Sequence, residues 1–505
     1  DTFARMLKLY PPGKGTKCDQ ALFFQAETLY GLNDKEAAVR SYSTLLKGFS
    51  ESSLSRDALY ALGVTQEELG RYAKAGDAYQ KFMGQYADHE LFSEVQMRHA
   101  ETLLQQGVLA QQGGDAEMAG SLFKRAEAEF EKVARIKEFS STDHALYRQA
   151  FCVIQRNDLT RAATIYEQIV GGFPDSQYVA QATLGAGRCY YRVEQLDQAR
   201  EAFQRLWEQG NQEASEAAHW LCQIHLRQGE FAAAAKLAGD AIKTAGESAF
   251  LVRLKMDYAD ALFEQPDQRV LALTQYAAIV ETHPEDASAP QANYNAAFAA
   301  LDLADYQRLA ELVKVFRARY AEHVLFPDVL YVEAEAQLQQ QEYAAAETMF
   351  GMLLRKYAKH VDRADWMVRL GVCQYGRENY EAVIAGLSDS KVSLPKKELR
   401  AESQCLIGAS QFFVKQFAAA QGSLKASVEV SPNWRRADET LLFLARTERR
   451  MDNLDMARQT VRGMLKTFPE SSLRDQAHYR LGAVSYTHLR AHETDSYLVC
   501  RLLLE

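Results

Sequence analysis

Apolar and small positions along this chain recur in pairs at helical spacing. In the stretch ATLGAGRCYYRVEQLDQAREAFQRLW, Gly187 is followed three residues later by Tyr190, and Ala199 four residues later by Phe203. Residues three or four apart share one face of a helix. Gly187 and Ala199 are twelve apart, separated by Val193-Glu194-Gln195. This pattern predicts two helices joined by a short turn. Small residues let the backbones approach, and the aromatic residues fill the groove beside them.

The same wording returns along most of the chain. The first small position reads Ala26, Gly63, Ala150, Gly187, Cys222, Ala297, Ala334, Gly371, Gly408, Ala445 and Gly482. The second, twelve on, is usually alanine, as at Ala38, Ala75, Ala162 and Ala346, and a larger residue follows four later, as at Tyr42, Tyr79, Tyr166 and Phe350. Leu309 and Val383 stand where the small second residue is expected, so their hairpins should be more splayed. Neighbouring units are about 35–39 residues apart, the period of a helix–turn–helix array.

The array divides the chain as follows. Residues 1–17 read as the end of a preceding repeat and a connector. Repeats run over 18–247, with an elongated hairpin at 91–139 that should project, either as a spacer or as a docking edge. Further repeats follow at 248–388 and 395–483, the last one truncated, and Ser388–Pro395 is a polar linker. Pro266 is expected to end one helix and start the next. ARMLKLYPPG resembles the helix end GMLKTFPESS, so the sequence is expected to begin inside a repeat, with any leader or anchoring cysteine upstream.

The small–x–x–aromatic first helix, the Ala–x3–aromatic second helix and closing prolines at Pro174, Pro284 and Pro469 resemble the tetratricopeptide repeat family. The resemblance implies an all-α, right-handed superhelical solenoid of about twelve antiparallel helix pairs, whose first helices (A) line an inner wall that grips peptides or helices. FSESSLSRDALYALG, FPDSQYVAQATLGAG and FPESSLRDQAHYRLG are similar in wording to the bacterial subgroup of TolA-binding and outer-membrane assembly lipoproteins. That likeness implies a periplasmic or cell-envelope setting. Val484–Glu505 carries no repeat signature and resembles translated sequencing adapter, so it is read as a non-native tail, with natural sequence continuing past Ala483.

Composition changes this picture little. The formal net charge of −9 argues against a general nucleic-acid surface. No run of about 18 apolar residues is present, so no membrane span is expected. The one basic concentration, Arg435, Arg436, Arg446, Arg449 and Arg450, is read as a solvated helix face.

Candidate chemistry is sparse. Gly13-Lys14-Gly15-Thr16 lacks the spacing and preceding strand of a phosphate loop and reads as a turn. His488 and His492, with Cys500 downstream, have zinc-like spacing but lie in the adapter-like tail. His219, Cys222 and His225 form a row on one helix, yet Cys222 fills a packing position and no fourth ligand is evident. Cys152, Cys189 and Cys373 share one slot, too far apart between stacked helices for bridges, so thiols are expected and a reducing compartment is favoured. No nucleophile–base pattern occurs; no catalytic residue, cofactor or metal is assigned.

What remains is the helix-A surface. Tyr60, Tyr147, Tyr294, Tyr331 and Tyr479 stand three residues before the small position; Tyr191, Tyr375 and Phe412 stand four after it. Tyrosine suits binding, with an apolar body and a polar tip, but also packs between repeats. Of these, Tyr60, Tyr147, Tyr191, Tyr294, Tyr331, Tyr375 and Phe412 are the candidate protein-binding residues. The expected function is a non-catalytic scaffold with a protein or peptide partner. The alternatives are an accessory region of a larger enzyme or regulator, and a structural spacer.

Overall fold

The computed structural model of the chain describes residues 2–10, 16–388 and 393–483. The phosphate-loop-like connector at 11–15, part of the linker at 389–392, and Val484–Glu505 with His488, His492 and Cys500 lie outside the described residues. Among those described, regular structure is helical and no strand occurs. The chain divides into two compact units, Asp1–Ala261 and Leu262–Glu505.

In the first unit, Thr2–Leu9 precedes the pairs Cys18–Gly31 with Lys35–Gly48 and Ser55–Glu68 with Tyr72–Gln85. The long pair is Phe92–Gln112 with Ala116–Ala134. Thr142–Gln155 with Leu159–Gly172, Val179–Arg192 with Leu196–Gln209, and Ala214–Arg227 with Phe231–Thr244 follow. The second unit continues with Arg269–Thr282, then Ala289–Asp302 with Tyr306–Arg319, Phe326–Gln339 with Tyr343–Lys356, Arg363–Gly376 with Tyr380–Leu387, Lys397–Phe413 with Phe417–Val430, and Ala437–Arg450 with Leu454–Thr467. Each helix packs on its neighbours in sequence, so each unit is a helix-pair solenoid. Pro266 departs from expectation. It opens a short 3-10 turn, Pro266–Gln268, and the next α-helix begins only at Arg269.

The small positions are small because nothing larger fits. A Cβ on Gly187 would lie 2.6 Å from the Phe203 ring, one on Gly63 2.3 Å from Tyr79, and one on Gly408 2.7 Å from Leu424. The side chain sixteen residues on, from helix B, rests on the backbone of helix A. Ala199 and Phe203 are fully buried. Leu309 and Val383, in the second small position, are buried as well. The long hairpin keeps the same lock: a Cβ on Gly107 would meet Phe123 at 2.8 Å, and Ala119 is buried beside it.

Two local devices set the helix ends. The A–B turn uses one left-handed residue, Glu194 (φ 62°) in one repeat and Gly229 (φ 74°) in the next. Glycine adopts this freely, while Glu194 is held there against a steric cost. An acidic N-cap then opens several helices B: Asp34, Asp158 and Asp305 accept from the N–H three residues on.

The B–A connection carries a polar clasp. The Ser176 hydroxyl accepts from the Tyr178 N–H at 3.0 Å and donates to Asp143, at the start of the preceding helix A, at 2.5 Å. Ser52 with Asp19 and Ser471 with Asp438 repeat it at 2.6 and 2.5 Å. His360 takes the serine place in another connection: its Nδ1 accepts from the Asp362 N–H at 3.2 Å and its Nε2 lies 3.6 Å from Asp328.

The close-approach account makes opposite forecasts for two glycines. Gly187→Leu should lower local stability by about 1–3 kcal/mol through overpacking. Gly120 lies inside a helix, and a Cβ added to it would meet no heavy atom within 4 Å, so Gly120→Ala should raise local stability by about 1 kcal/mol. Hydrogen exchange resolved by helix measures both; equal effects would break the account.

Candidate functional site

The helix-A surface is built from the same repeat geometry. In the first unit, Tyr60 is half-buried against the core around Leu59 and Tyr79. The Arg98 guanidinium, from the next helix A, lies 5.8 Å over its ring. Tyr60 also lines a cavity of about 290 Å3 between Cys18–Gly31 and Ser55–Glu68, with Phe23, Tyr30, Tyr42, Glu27 and Asp57. Tyr42 donates to Glu27 and Tyr30 donates to Glu68, so the rings there are fixed by carboxylates. Burial, then the Glu27 bond and charge, push the Tyr42 hydroxyl well above its ordinary range.

Tyr147 is differently placed. It stacks on Tyr178 of the following connection at 5.0 Å and tilts onto Tyr166 at 5.8 Å. His144 stacks on the same Tyr178 at 5.3 Å. Tyr191 packs on Trp220 at 5.0 Å, and Arg227 covers its ring at 4.7 Å.

In the second unit, Tyr294 is half-buried beside Phe298 at 6.5 Å, and Phe298 is 43% exposed. Burial, then the charges of Asp328 and Asp362, raise the Tyr294 hydroxyl pKa. Tyr331 meets Phe350 edge-on at 6.1 Å. Tyr375 lies 5.6 Å from Tyr380 and 6.2 Å from Phe413, and burial pushes its hydroxyl up to about 12. Phe412 is only 6% exposed, its ring 5.3 Å from Phe443 and 4.6 Å from the Arg446 guanidinium. The ring surface that reaches solvent here belongs to its neighbour Phe413, 40% exposed and stacked on Tyr380 at 4.7 Å. Helical spacing from the small position does not single out Phe413; the adjacent Phe412-Phe413 pair was the signal. Tyr479 is 78% exposed.

Ion pairs lace the same helices. Arg369 lies 3.1 Å from both Glu335 and Glu402, and Arg435 joins Glu402 at 3.1 Å. Glu402 is 5% exposed, so either arginine's removal leaves a buried charge under-compensated. Arg436 pairs with Glu439 at 2.6 Å. The expected solvated basic face therefore describes the exposed Arg435, Arg449 and Arg450. It does not describe Arg436, which is half-buried and ion-paired, or Arg446, which lies on the Phe412 ring.

The metal-like row on Ala214–Arg227 is spent on separate partners. His219 Nδ1 lies 2.7 Å from Asp257, which also accepts from Gln223 at 2.7 Å. Cys222 is buried, its thiol 3.8 Å from the Ala234 carbonyl, and His225 Nδ1 lies 2.6 Å from Glu230. Asp328, His360 and Asp362 bring three ligand-type atoms within 4.8 Å, but both His360 nitrogens already serve the connection clasp. The six cysteines among the described residues form no disulfide.

Residues 25–90 and 331–384 match one family model for the tetratricopeptide repeat, and residues 153–219 match another. These segments are tetratricopeptide repeats. They include two of the hairpins in which the small-residue lock is seen, those of Gly63 with Tyr79 and Gly187 with Phe203. No curated protein matches the chain. Among solved structures, the chain is similar to yeast Tom70 at 12% identity, covering 97% of this chain and 99% of that one with a TM-score of 0.36. It is also similar to a tetratricopeptide repeat protein from Parabacteroides merdae at 14% identity, covering 52% and 98%, with a TM-score of 0.40. Neither likeness bears on what this chain binds. Among the described residues, no helix is long and apolar enough to cross a membrane.

The cysteines yield a chemical forecast. Burial pushes the Cys189 thiol up to about 11 and the Cys373 thiol up to about 12. A free thiol near 8.5 is about a quarter thiolate at pH 8, and one near 11 about a thousandth. Alkylation of Cys189 at pH 8 should therefore be roughly a hundredfold or more slower in the native protein than in urea. Mass spectrometry of the labelled peptide reads this; equal rates would show that the thiol is accessible.

Proposed function

We propose that this chain is a non-catalytic scaffold that binds a protein or peptide partner along its helix-A surface. The observation that carries this is the aromatic-lined cavity of about 290 Å3 between successive helices A, where Tyr60 is half-buried and its neighbours' hydroxyls are anchored by Glu27 and Glu68. Rigid aromatic walls with polar tips bind side chains at low entropic cost. In the second unit, Phe413 and Tyr380 offer a comparable ring surface beside Tyr375. Tyr191 in the first unit, and Tyr294 and Tyr331 in the second, are assigned as contributors to the helix-A surface of their own unit, with Tyr147 and Phe412 in supporting positions.

A bacterial cell-envelope setting rests on repeat wording. The clasp gives that wording a structural reason, since the serine of FPDSQY and FPESSL is the residue that bonds back to an aspartate. The setting is therefore a secondary part of the proposal.

Two substitution classes separate the roles. Tyr60→Ala and Phe413→Ala should weaken partner capture at least about tenfold, the scale of an interface anchor of about 2 kcal/mol, with near-normal melting. Tyr147→Ala removes a stacked ring and should cost stability, up to the roughly 3–5 kcal/mol of a buried aromatic. Capture on the immobilised full chain and melting are measured on the same samples. Unchanged capture in both Tyr60→Ala and Phe413→Ala would overturn the helix-A assignment.

A further inference from the structure

The opposite face, formed by helices B, carries grooves between one helix B and the next. Two of them are crossed by ion pairs. Arg161 reaches Glu131 at 3.8 Å in the first unit, and Arg308 reaches Glu281 at 3.3 Å in the second. These pairs set opposite charges against each other across the groove walls.

The groove between Lys35–Gly48 and Tyr72–Gln85 is different. It has a volume of about 430 Å3 and an apolar floor that includes Leu46, Leu59 and Leu62. Lys47, Lys74 and Lys81 stand exposed on its walls, with Asp77 the one carboxylate among the lining residues. Among the described residues none of these lysines forms an ion pair, and the nearby Glu36 is held by Arg71. Gln66, 6% exposed, also lines this groove, and its buried Oε1 has no hydrogen-bond donor.

Each feature constrains the occupant. Three lysines against one lining carboxylate leave the groove with an excess of positive charge, which favours a ligand with several carboxylates. A buried acceptor without a donor is costly, and an incoming N–H relieves that cost. The apolar floor asks for a side chain. Phosphate or a free dicarboxylate supplies neither N–H nor apolar surface; a peptide rich in Asp and Glu supplies all three. We propose that this helix-B groove docks an acidic peptide segment of a partner protein, with carboxylates at Lys47, Lys74 and Lys81, a backbone N–H on Gln66, and an apolar side chain over Leu59 and Leu62. The site is separate from the helix-A surface, and neither reading depends on the other.

The probe is a fluorescent pool of short peptides alternating Asp or Glu with Leu, Val or Phe, beside a matched pool with Asn or Gln replacing the acids. Binding to the full chain is followed by polarisation. The acidic pool should bind at least about tenfold more tightly than the neutral pool. Joint substitution Lys47→Glu, Lys74→Glu and Lys81→Glu, all at exposed positions, should remove at least about tenfold of the affinity. Gln66→Leu should weaken it about threefold, a partial loss in keeping with one neutral hydrogen bond. Tyr60→Ala should leave it unchanged. Equal binding of the two pools, or full affinity in the triple lysine variant with unchanged melting, would overturn the proposal. So would displacement of the acidic pool by inorganic phosphate as readily as by unlabelled acidic peptide. Loss of binding in Tyr60→Ala with retention in the lysine variant would also overturn it, by moving the peptide to the helix-A surface.

Discussion

Everything in these repeats follows from one close approach, between the backbone of helix A at its small residue and a side chain from helix B sixteen residues later. At Gly187 and Phe203 there is no room for a single added carbon, and Gly63 with Tyr79 is tighter still. Dispersion contacts fall steeply with distance, so the contact is worth most when the ring lies directly on the backbone. That requirement fixes the twelve-residue offset between small residues, and the offset leaves only a short turn. The turn must then pass through the left-handed region, which explains why residues as unfavourable there as Glu194, Gln341 and Lys415 accept it.

Apolar contact sets how near the helices lie, and polar contact sets how one repeat follows the next. The serine clasp joins the start of one helix A to the connection after its helix B, 33 residues later. Buried carboxylates such as Glu402 add arginine partners from other repeats. Buried ion pairs contribute little net stability, but they penalise any arrangement that separates them. They act here on register between repeats rather than on the strength of each hairpin.

The hairpins were legible because a small residue and a ring at fixed spacing are visible as letters. The lock extends to Gly107, Ala119 and Phe123, which share that spacing but sit inside helices too long to look like repeats. Other features are invisible to periodicity. The His219, Cys222 and His225 row looked like one constellation because a helix aligns them, yet Asp257, the Ala234 carbonyl and Glu230 divide them. Nor does spacing tell which tyrosine of a shared slot stays open. Tyr147 meets Tyr178 because that connection carries an aromatic, whereas Tyr60 meets Arg98 and keeps a cavity beside it.

The same logic bears on where such a scaffold can bind. A groove between helices is an unavoidable product of stacking pairs, so its existence says little. What differs is whether the side chains on its walls neutralise one another. Where Arg308 and Glu281 face each other, an incoming charge must compete with a partner already in place. Where Lys47, Lys74 and Lys81 outnumber Asp77 and form no ion pair among the described residues, the competition is weaker, and the desolvated Gln66 oxygen adds a vacancy for a donor. Binding capacity in a repeat array thus resides in departures from its own internal pairing, and those departures are set by single side chains while the backbone repeats unchanged.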